Sequence, residues 1–243
     1  MASNNDDLFD FIPRCDAQTP QGSMGRLKLS DLKPTQNAVG MDEVNTKVKK
    51  IRKKSKKKLA DYLLQRAVPI IIGNGGNYYL IDHHQLTISL WLAKGDMEIP
   101  VQVVRNWSLL KGDRFWKAMA VNNWVYPFDA MGAGPLNPTM LKQHVKDLDN
   151  DIYRSLSWVV RQDYGYVKDP ANAIFAEFKW GSFFRTRVIF EEQLTCEKKC
   201  EQMTLEDIAK ADPDDHSEKV RYAMYLAGSP EAAGLPGFVG RSR

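Results

Sequence analysis

Val68-Pro-Ile-Ile-Ile-Gly73, Asn74-Gly75-Gly76, Asn77-Tyr-Tyr-Leu-Ile-Asp82, His83-His84-Gln85-Leu86-Thr87-Ile88-Ser89-Leu90-Trp91-Leu92 and Ile99-Pro-Val-Gln-Val-Val-Arg105 succeed one another in the first half of the chain. The first and third are short runs of β-formers, and the glycines between them supply the positive φ that a tight turn needs. After Asp82 the spacing of apolar residues changes to that of a helix, with Leu86, Leu90 and the Ile88–Leu92 pair toward a sheet. Asp82 is the expected N-cap and Gly95 the stop. The stretch therefore reads strand, turn, strand, helix, strand. The glycines are not a phosphate loop, because that needs Gly-Lys-Ser/Thr opening a helix, and here a strand comes next.

Working outward, residues 1–25 are rich in turn-formers and read as a flexible arm. Arg26-Leu-Lys-Leu-Ser alternates like an edge strand, and Asp31-Leu-Lys-Pro34 breaks it with a proline turn. From about Met41 to Arg66 the pattern is one helix. Beyond Leu109 the chain is mostly helical, with candidates at Lys111–Val121, Pro138–Leu148, Asp151–Gln162, Ala171–Arg187, about Glu192–Lys210 and Glu218–Leu226. Trp116, Trp124, Trp158 and Trp180 read as core. The fold class is α+β (mixed α/β): a small mixed sheet over residues 26–108 and a mostly helical region over 109–243 packed on it.

The 243 residues are 43% hydrophobic and 26% charged, with six Trp, nine Tyr and ten Phe, which excludes wholesale disorder. No apolar run approaches the ~20 residues of a membrane span. The opening Met1-Ala-Ser-Asn-Asn-Asp-Asp is polar and acidic, unlike a secretory signal. Three cysteines, Cys15, Cys196 and Cys200, cannot complete a disulfide set, and a reducing, cytoplasmic setting is expected, or a nuclear one in a eukaryote. Cys196 and Cys200 could share a helical face, but two thiols alone make a poor zinc site.

The net charge of +4 hides a strong asymmetry. Lys47–Lys58 reads KVKKIRKKSKKK and holds nine basic residues and no acid, so the rest of the chain is mildly acidic. Three readings stand: a solvated helix face, a face that contacts phosphates through residues such as Lys53, Lys54 and Lys57, or a nuclear targeting signal.

The most chemically loaded point is Ile81-Asp82-His83-His84, where a strand meets a helix N-terminus that favours anions. Asp82 could hold a divalent cation, and a histidine beside it could carry a proton near neutral pH. Successive helical residues point about 100° apart, so only one of His83 and His84 can face a small cleft. Arg154 and Arg161, seven residues apart on one helical face, are candidate phosphate ligands, or partners of acids. Glu177, flanked by aromatics, is either paired with an arginine or poised as a base. Tyr126 and Asp129 border a glycine-rich loop and could line a cleft.

Residues 27–107 resemble the ParB/sulfiredoxin-like superfamily, whose signature strand ends in Asp-Gly-His-His-Arg or a variant. The likeness is to the branch of ParB-like nucleases, through Leu32-x-Pro34-Thr35-Gln36, Val39-Gly40-x-x-Glu43-Val44, the hairpin and Ile81-Asp82-His83-His84. It continues through Trp124-Val-Tyr126-Pro127-x-Asp129, Asp151-x-Tyr153-Arg154-Ser155-Leu156-x-Trp158-x-x-Arg161, Phe175-Ala-Glu177-Phe178-x-Trp180, Phe183-x-Arg185 and Leu235-Pro236-Gly237-Phe238. Two positions depart from the pattern. Gln85 stands where a third histidine is common, and the superfamily's arginine after the histidines is absent.

The resemblance implies a nucleotide or phosphate at the strand–helix junction. The candidate catalytic set is Asp82, His83, His84 and Glu43, with Gln36 on phosphate; in place of the absent family arginine, Arg154 and Arg161 are the expected phosphate ligands, and the residues themselves add Lys53, Lys54 and Lys57 of the basic run, itself a departure from the family, and Mg²⁺ or Mn²⁺ on Asp82. The expected activity is metal-assisted phosphodiester hydrolysis of nucleic acid, the partner reached through Lys47–Lys58. The alternatives are a phosphotransferase using ATP, ADP or CTP on a small hydroxyl substrate, and a nucleic-acid- or nucleotide-binding module without turnover. Sulfiredoxin chemistry is excluded, because no thiol stands at the junction. Centromere binding needs a helix-turn-helix domain after the core, and the later aromatic helices lack that pattern.

Overall fold

The computed structural model describes residues 8–168, 175–190 and 202–240. Cys196, Cys200 and the first parts of the helices expected at Ala171 and Glu192 lie outside them. The chain divides into two compact units. The first comprises Met1–Asn37, Val44–Asp129 and Ala133–Leu148, and the second Ala38–Glu43, Ala130–Gly132 and Asp149–Arg243.

The first unit is built on a five-stranded mixed sheet of order β1-β6-β4-β5-β2. Its strands are β1 (Met24–Lys28), β2 (Leu32–Pro34), β4 (Val68–Ile72), β5 (Tyr78–Leu80) and β6 (Glu98–Asn106). β4 and β5 form the antiparallel hairpin expected from the glycines, and Gly75 takes φ 71° in its turn. Helix α3 (His84–Lys94) then carries the chain over to β6, parallel to β4, while β2 lies parallel to β5.

Alternation gives the sheet two faces. Leu32, Ile70, Ile72, Leu80, Val101 and Val103 point into the larger core, which Ile51, Leu59, Leu63, Leu86 and Leu90 cover from the helices. Ile71 and the half-buried Tyr79 point the other way, onto Phe115 and Met119 of α4 (Asp113–Val121).

Three expectations are corrected in this unit. The helix expected over Met41–Arg66 is two helices, α1 (Met41–Arg52) and α2 (Lys56–Leu64). Ser55 is the N-cap of the second, its side chain accepting from Lys58 N, and a cap satisfies a donor that a continuous helix would have used. The helix expected over Pro138–Leu148 is two single 3₁₀ turns, Pro138–Met140 and Val145–Asp147. Leu141, Val145 and Leu148 are buried at helical spacing, but Lys142 N donates to Asn37 Oδ1 and not to the carbonyl four residues back. Within the expected flexible arm, Phe9, Ile12 and Cys15 are buried in the core. Arg26 Nη1 holds the carbonyl of Phe9, and Gly25 leaves room for Cys15 Sγ, which a Cβ at that position would strike.

The second unit holds a short parallel ladder of β3 (Ala38–Val39) with β7 (Asp149–Asn150), then α5 (Ile152–Gln162), α6 (Ala176–Arg185), α7 (Leu205–Ala211) and α8 (Pro213–Ala227). Asp151 caps α5 by accepting from the N–H groups of Tyr153 and Arg154. Its core is aromatic: Trp180 is fully buried and stacks on Tyr166 with centroids 4.4 Å apart. Trp116, Trp124 and Trp158 are half-buried. α8 starts earlier than the periodicity predicts, because Asp212 caps it and Pro213 occupies its first turn. Among the described residues, no helix is long and apolar enough to cross a membrane.

Candidate active site at the strand–helix junction

β2 and β5 run parallel and end together, with Pro34 opposite Leu80. The chain leaves them as Thr35-Gln36-Asn37 and Ile81-Asp82-His83, so both segments emerge at the carboxyl ends of adjacent strands, where α/β sheets bind ligands. Thr35 locks the two ends together, its hydroxyl donating to the carbonyl of Leu80 at 2.7 Å. Its carbonyl accepts from Tyr126 N at 2.8 Å, and Gln36 and Tyr126 form a β-bridge. Gln36 and Tyr126 are thus brought together beside the junction. Asp129 closes its own loop, accepting from Ala133 N at 2.8 Å.

The two histidines have different environments. His84 is the first residue of α3 and is 3% exposed. Its Nε2 accepts the backbone N–H of Thr35 at 3.1 Å. Burial drives its pKa down to about 3, and neighbouring Asp82 only partly offsets this. His84 is therefore held as a neutral imidazole with its proton on Nδ1.

His83 is the N-cap, not Asp82 as expected. It sits in the left-handed region at φ 67°, ψ 23°, a conformation costing an L-residue about 1–2 kcal/mol. The carboxylate of Asp82 accepts from His83 N at 2.6 Å and so supports that turn from outside the helix. The Asp82 side chain is 74% exposed, and His83 Nε2 lies 3.9 Å from its Oδ2. His83 Nδ1 is buried with no hydrogen-bond partner among the described residues. Nε2 is thus the ring nitrogen of His83 on the side of the Asp82 carboxylate.

The basic run does not flank this junction. α1 meets α3 at two points, where Val44 O accepts from Ser89 Oγ and, at its basic end, Arg52 Nη2 donates to Leu92 O at 3.2 Å near the far end of α3. Eight helical residues separate His84 from Leu92, about 12 Å. Lys53 and Lys57 are exposed around the α1–α2 turn, and Lys54 Nζ lies over the Tyr62 ring, 4.7 Å from its centroid.

The remaining expected site residues gather within the second unit. Arg154, 2% exposed, lies between Glu43 Oε2 at 3.4 Å and Glu177 Oε2 at 3.1 Å. Arg161 Nη1 meets Glu177 Oε1 at 2.9 Å. Burial works against the charge on Arg154, but Glu177 and Glu43 outweigh it, and its pKa is raised. Nearby, Arg185 Nη2 reaches Asp151 Oδ2 at 2.7 Å, and burial raises the Asp151 pKa against the pull of that arginine. Glu43, Arg154, Arg161 and Glu177 thus form one internally compensated chain of charge. Sequence reasoning missed Thr35, whose role depends on a bond 49 residues away. Its sequence signals are its place beside the strand-ending Pro34 and within the Leu32-x-Pro34-Thr35-Gln36 motif, neither of which shows the bond to His84.

Asp82 is the one residue of the junction suited to a hard divalent cation. Among the described residues there is no group of three or more His, Cys, Asp or Glu side chains placed to hold a metal. A single exposed carboxylate fits Mg²⁺, which keeps several waters and binds through one or two carboxylates together with substrate phosphates.

Known proteins agree with this architecture. The crystal structure of protein Atu1540 from Agrobacterium tumefaciens is similar to the chain at 32% identity and a TM-score of 0.73, covering 90% of this chain and 98% of that one. No curated protein matches the chain. Residues 26–186 match the family model described as "Putative ParB-like nuclease", and the chain belongs to that ParB-like family.

Proposed function

We propose that the protein hydrolyses phosphodiester bonds in nucleic acid, with Asp82 and His83 as the reacting pair. The observation that carries the reading is the exposed Asp82 carboxylate set against Nε2 of a strained His83 at the ends of two parallel strands. Strained backbone persists where surrounding structure enforces it, and it concentrates at functional sites. Mg²⁺ or Mn²⁺ on Asp82 would supply a Lewis acid for a phosphoryl oxygen and a more acidic bound water. The chain's own contribution is to hold and move a proton at His83 Nε2 and to offer the N–H groups opening α3 to a non-bridging oxygen. His84 and Thr35 fix the geometry of both strand ends.

The position of the basic turn favours a polymer. About 12 Å along α3 corresponds to three or four phosphates of one duplex strand at ~3.4 Å each. A mononucleotide bound by its phosphates at the junction has no further phosphate for the basic turn, whereas a nucleic acid held there can also engage Lys53 and Lys57. The test is nicking of supercoiled plasmid with Mg²⁺ or Mn²⁺ and no nucleotide. Nicking by the native protein and none by Asp82→Asn is expected. Tight binding of ATP, ADP or CTP, with no nicking under either metal, would move the assignment to the phosphotransferase.

A further inference from the structure

On the α4 face of the sheet, a cavity of about 260 Å³ opens between β2, β5, α4 and the Pro138–Gln143 loop. Lys33 and Tyr79 are register partners across β2 and β5 and line its floor. Trp116 forms a wall, edge-on to Tyr79 with centroids 5.3 Å apart, and is itself half-buried. Thr139, Lys142 and Gln143 close the loop side. Among the described residues, two lysines line the cavity and no carboxylate does.

We infer that this cavity takes one nucleobase together with an adjoining phosphate. Aromatic faces stack on any base, and clustered cations track the phosphate backbone, the combination by which proteins hold single strands. The hydroxyl of Thr139 and the amide of Gln143 offer donors and acceptors to a base edge. Tyr79 lies three residues before Asp82, about 10 Å along an extended chain, so the occupant would sit close to the bond presented at the junction. The cavity faces away from α3, which separates it from the helix N-terminus used for the reacting phosphate. The inference rests on the nucleic-acid reading only in assigning the unit to a polymer.

The test is calorimetry on full-length Asp82→Asn protein in EDTA, where cleavage cannot occur, with AMP, adenosine, inorganic phosphate and a short oligodeoxyadenylate as probes. AMP should bind more tightly than phosphate or adenosine. Trp116→Ala should weaken AMP and oligonucleotide by about ten- to a hundredfold, and Trp116→Phe should restore most of the loss. Lys33→Gln should weaken AMP and leave adenosine unchanged, a readout that survives if Trp116→Ala fails to fold. An oligonucleotide tighter than AMP identifies a polymer as the source, and equal affinities identify a free nucleotide. Binding of neither, AMP no tighter than phosphate, or affinities unmoved by Lys33→Gln and Trp116→Ala in folded protein would overturn the inference. Pocket binding retained in a protein that never nicks DNA would instead sink only the hydrolase reading.

Discussion

Nε2 of His84 accepts the backbone N–H of Thr35 at 3.1 Å, joining the first residue of α3 to the residue just past β2. An acceptor nitrogen carries no proton, so the bond exists only while the imidazole is neutral. The same residue pair thus sets the geometry of both strand ends and makes that geometry sensitive to acid.

His84 titrates at about 3 when folded against 6.5 for an ordinary histidine. Between these values the unfolded chain binds a proton that the folded chain does not, so stability rises with pH across this window and is fully present above it. The slope from this one group is at most about 1.4 kcal/mol per pH unit. His84→Gln, whose Oε1 stands where Nε2 does, keeps an acceptor for Thr35 and removes the titration. Urea denaturation at a series of pH values should show a flatter dependence in the variant, and identical slopes would contradict the buried neutral state.

His83 and Asp82 should separate stability from activity. Replacing His83 by Gly relieves a left-handed residue, worth about 1–2 kcal/mol, against about 0.4–1 kcal/mol of added unfolded-state entropy. His83→Gly should be as stable as the native protein or up to ~1.6 kcal/mol more so, yet lose hydrolysis. Asp82→Asn should likewise abolish turnover while shifting stability by ~0.5 kcal/mol or less. A melting curve beside an activity assay reads both, and full activity in either variant would remove the pair from the chemistry.

The lysine turn should act on binding alone, because it stands at the far end of α3. Changing Lys53, Lys54 and Lys57 to Gln should raise KM for DNA and leave kcat unchanged. Each lost phosphate contact should reduce the slope of log affinity against log salt by about 0.9. Unrelated sequences should be weakened equally, since phosphate contacts carry no base information. A fall in kcat would instead place these lysines at the reacting bond.

How much was legible in the sequence depends on which interactions are local. The β4 hairpin, α3 and β6 arise from apolar spacing and from Gly75, all within neighbouring residues. α5 was legible because Asp151 caps it just before an apolar stripe begins. The break at Ser55 was not, because a serine among lysines reads equally well as a helix surface and its capping bond appears only in three dimensions. The turns at Pro138–Met140 and Val145–Asp147 keep helical burial spacing while Asn37, over a hundred residues away, takes the Lys142 N–H. At the junction the sequence marks Asp82, His83 and His84 but not their division of labour. That depends on which imidazole meets Thr35, a contact set by the β2–β5 register.

Arg154 offers the last test, within the second unit. Its guanidinium is buried between Glu43 and Glu177, and Glu177 also holds Arg161. Removing one member of a buried ion pair strands the others, which typically destabilises by about 3–5 kcal/mol, while replacing all members by apolar groups can be neutral. Arg154→Met should therefore unfold at a markedly lower denaturant concentration. Adding Glu43→Gln should recover part of the loss, because it removes a carboxylate that Arg154 compensated, while Glu177 keeps Arg161. If the single variant were as stable as the native protein, the charges would be met by solvent, and Arg154 would become available to a phosphate after all.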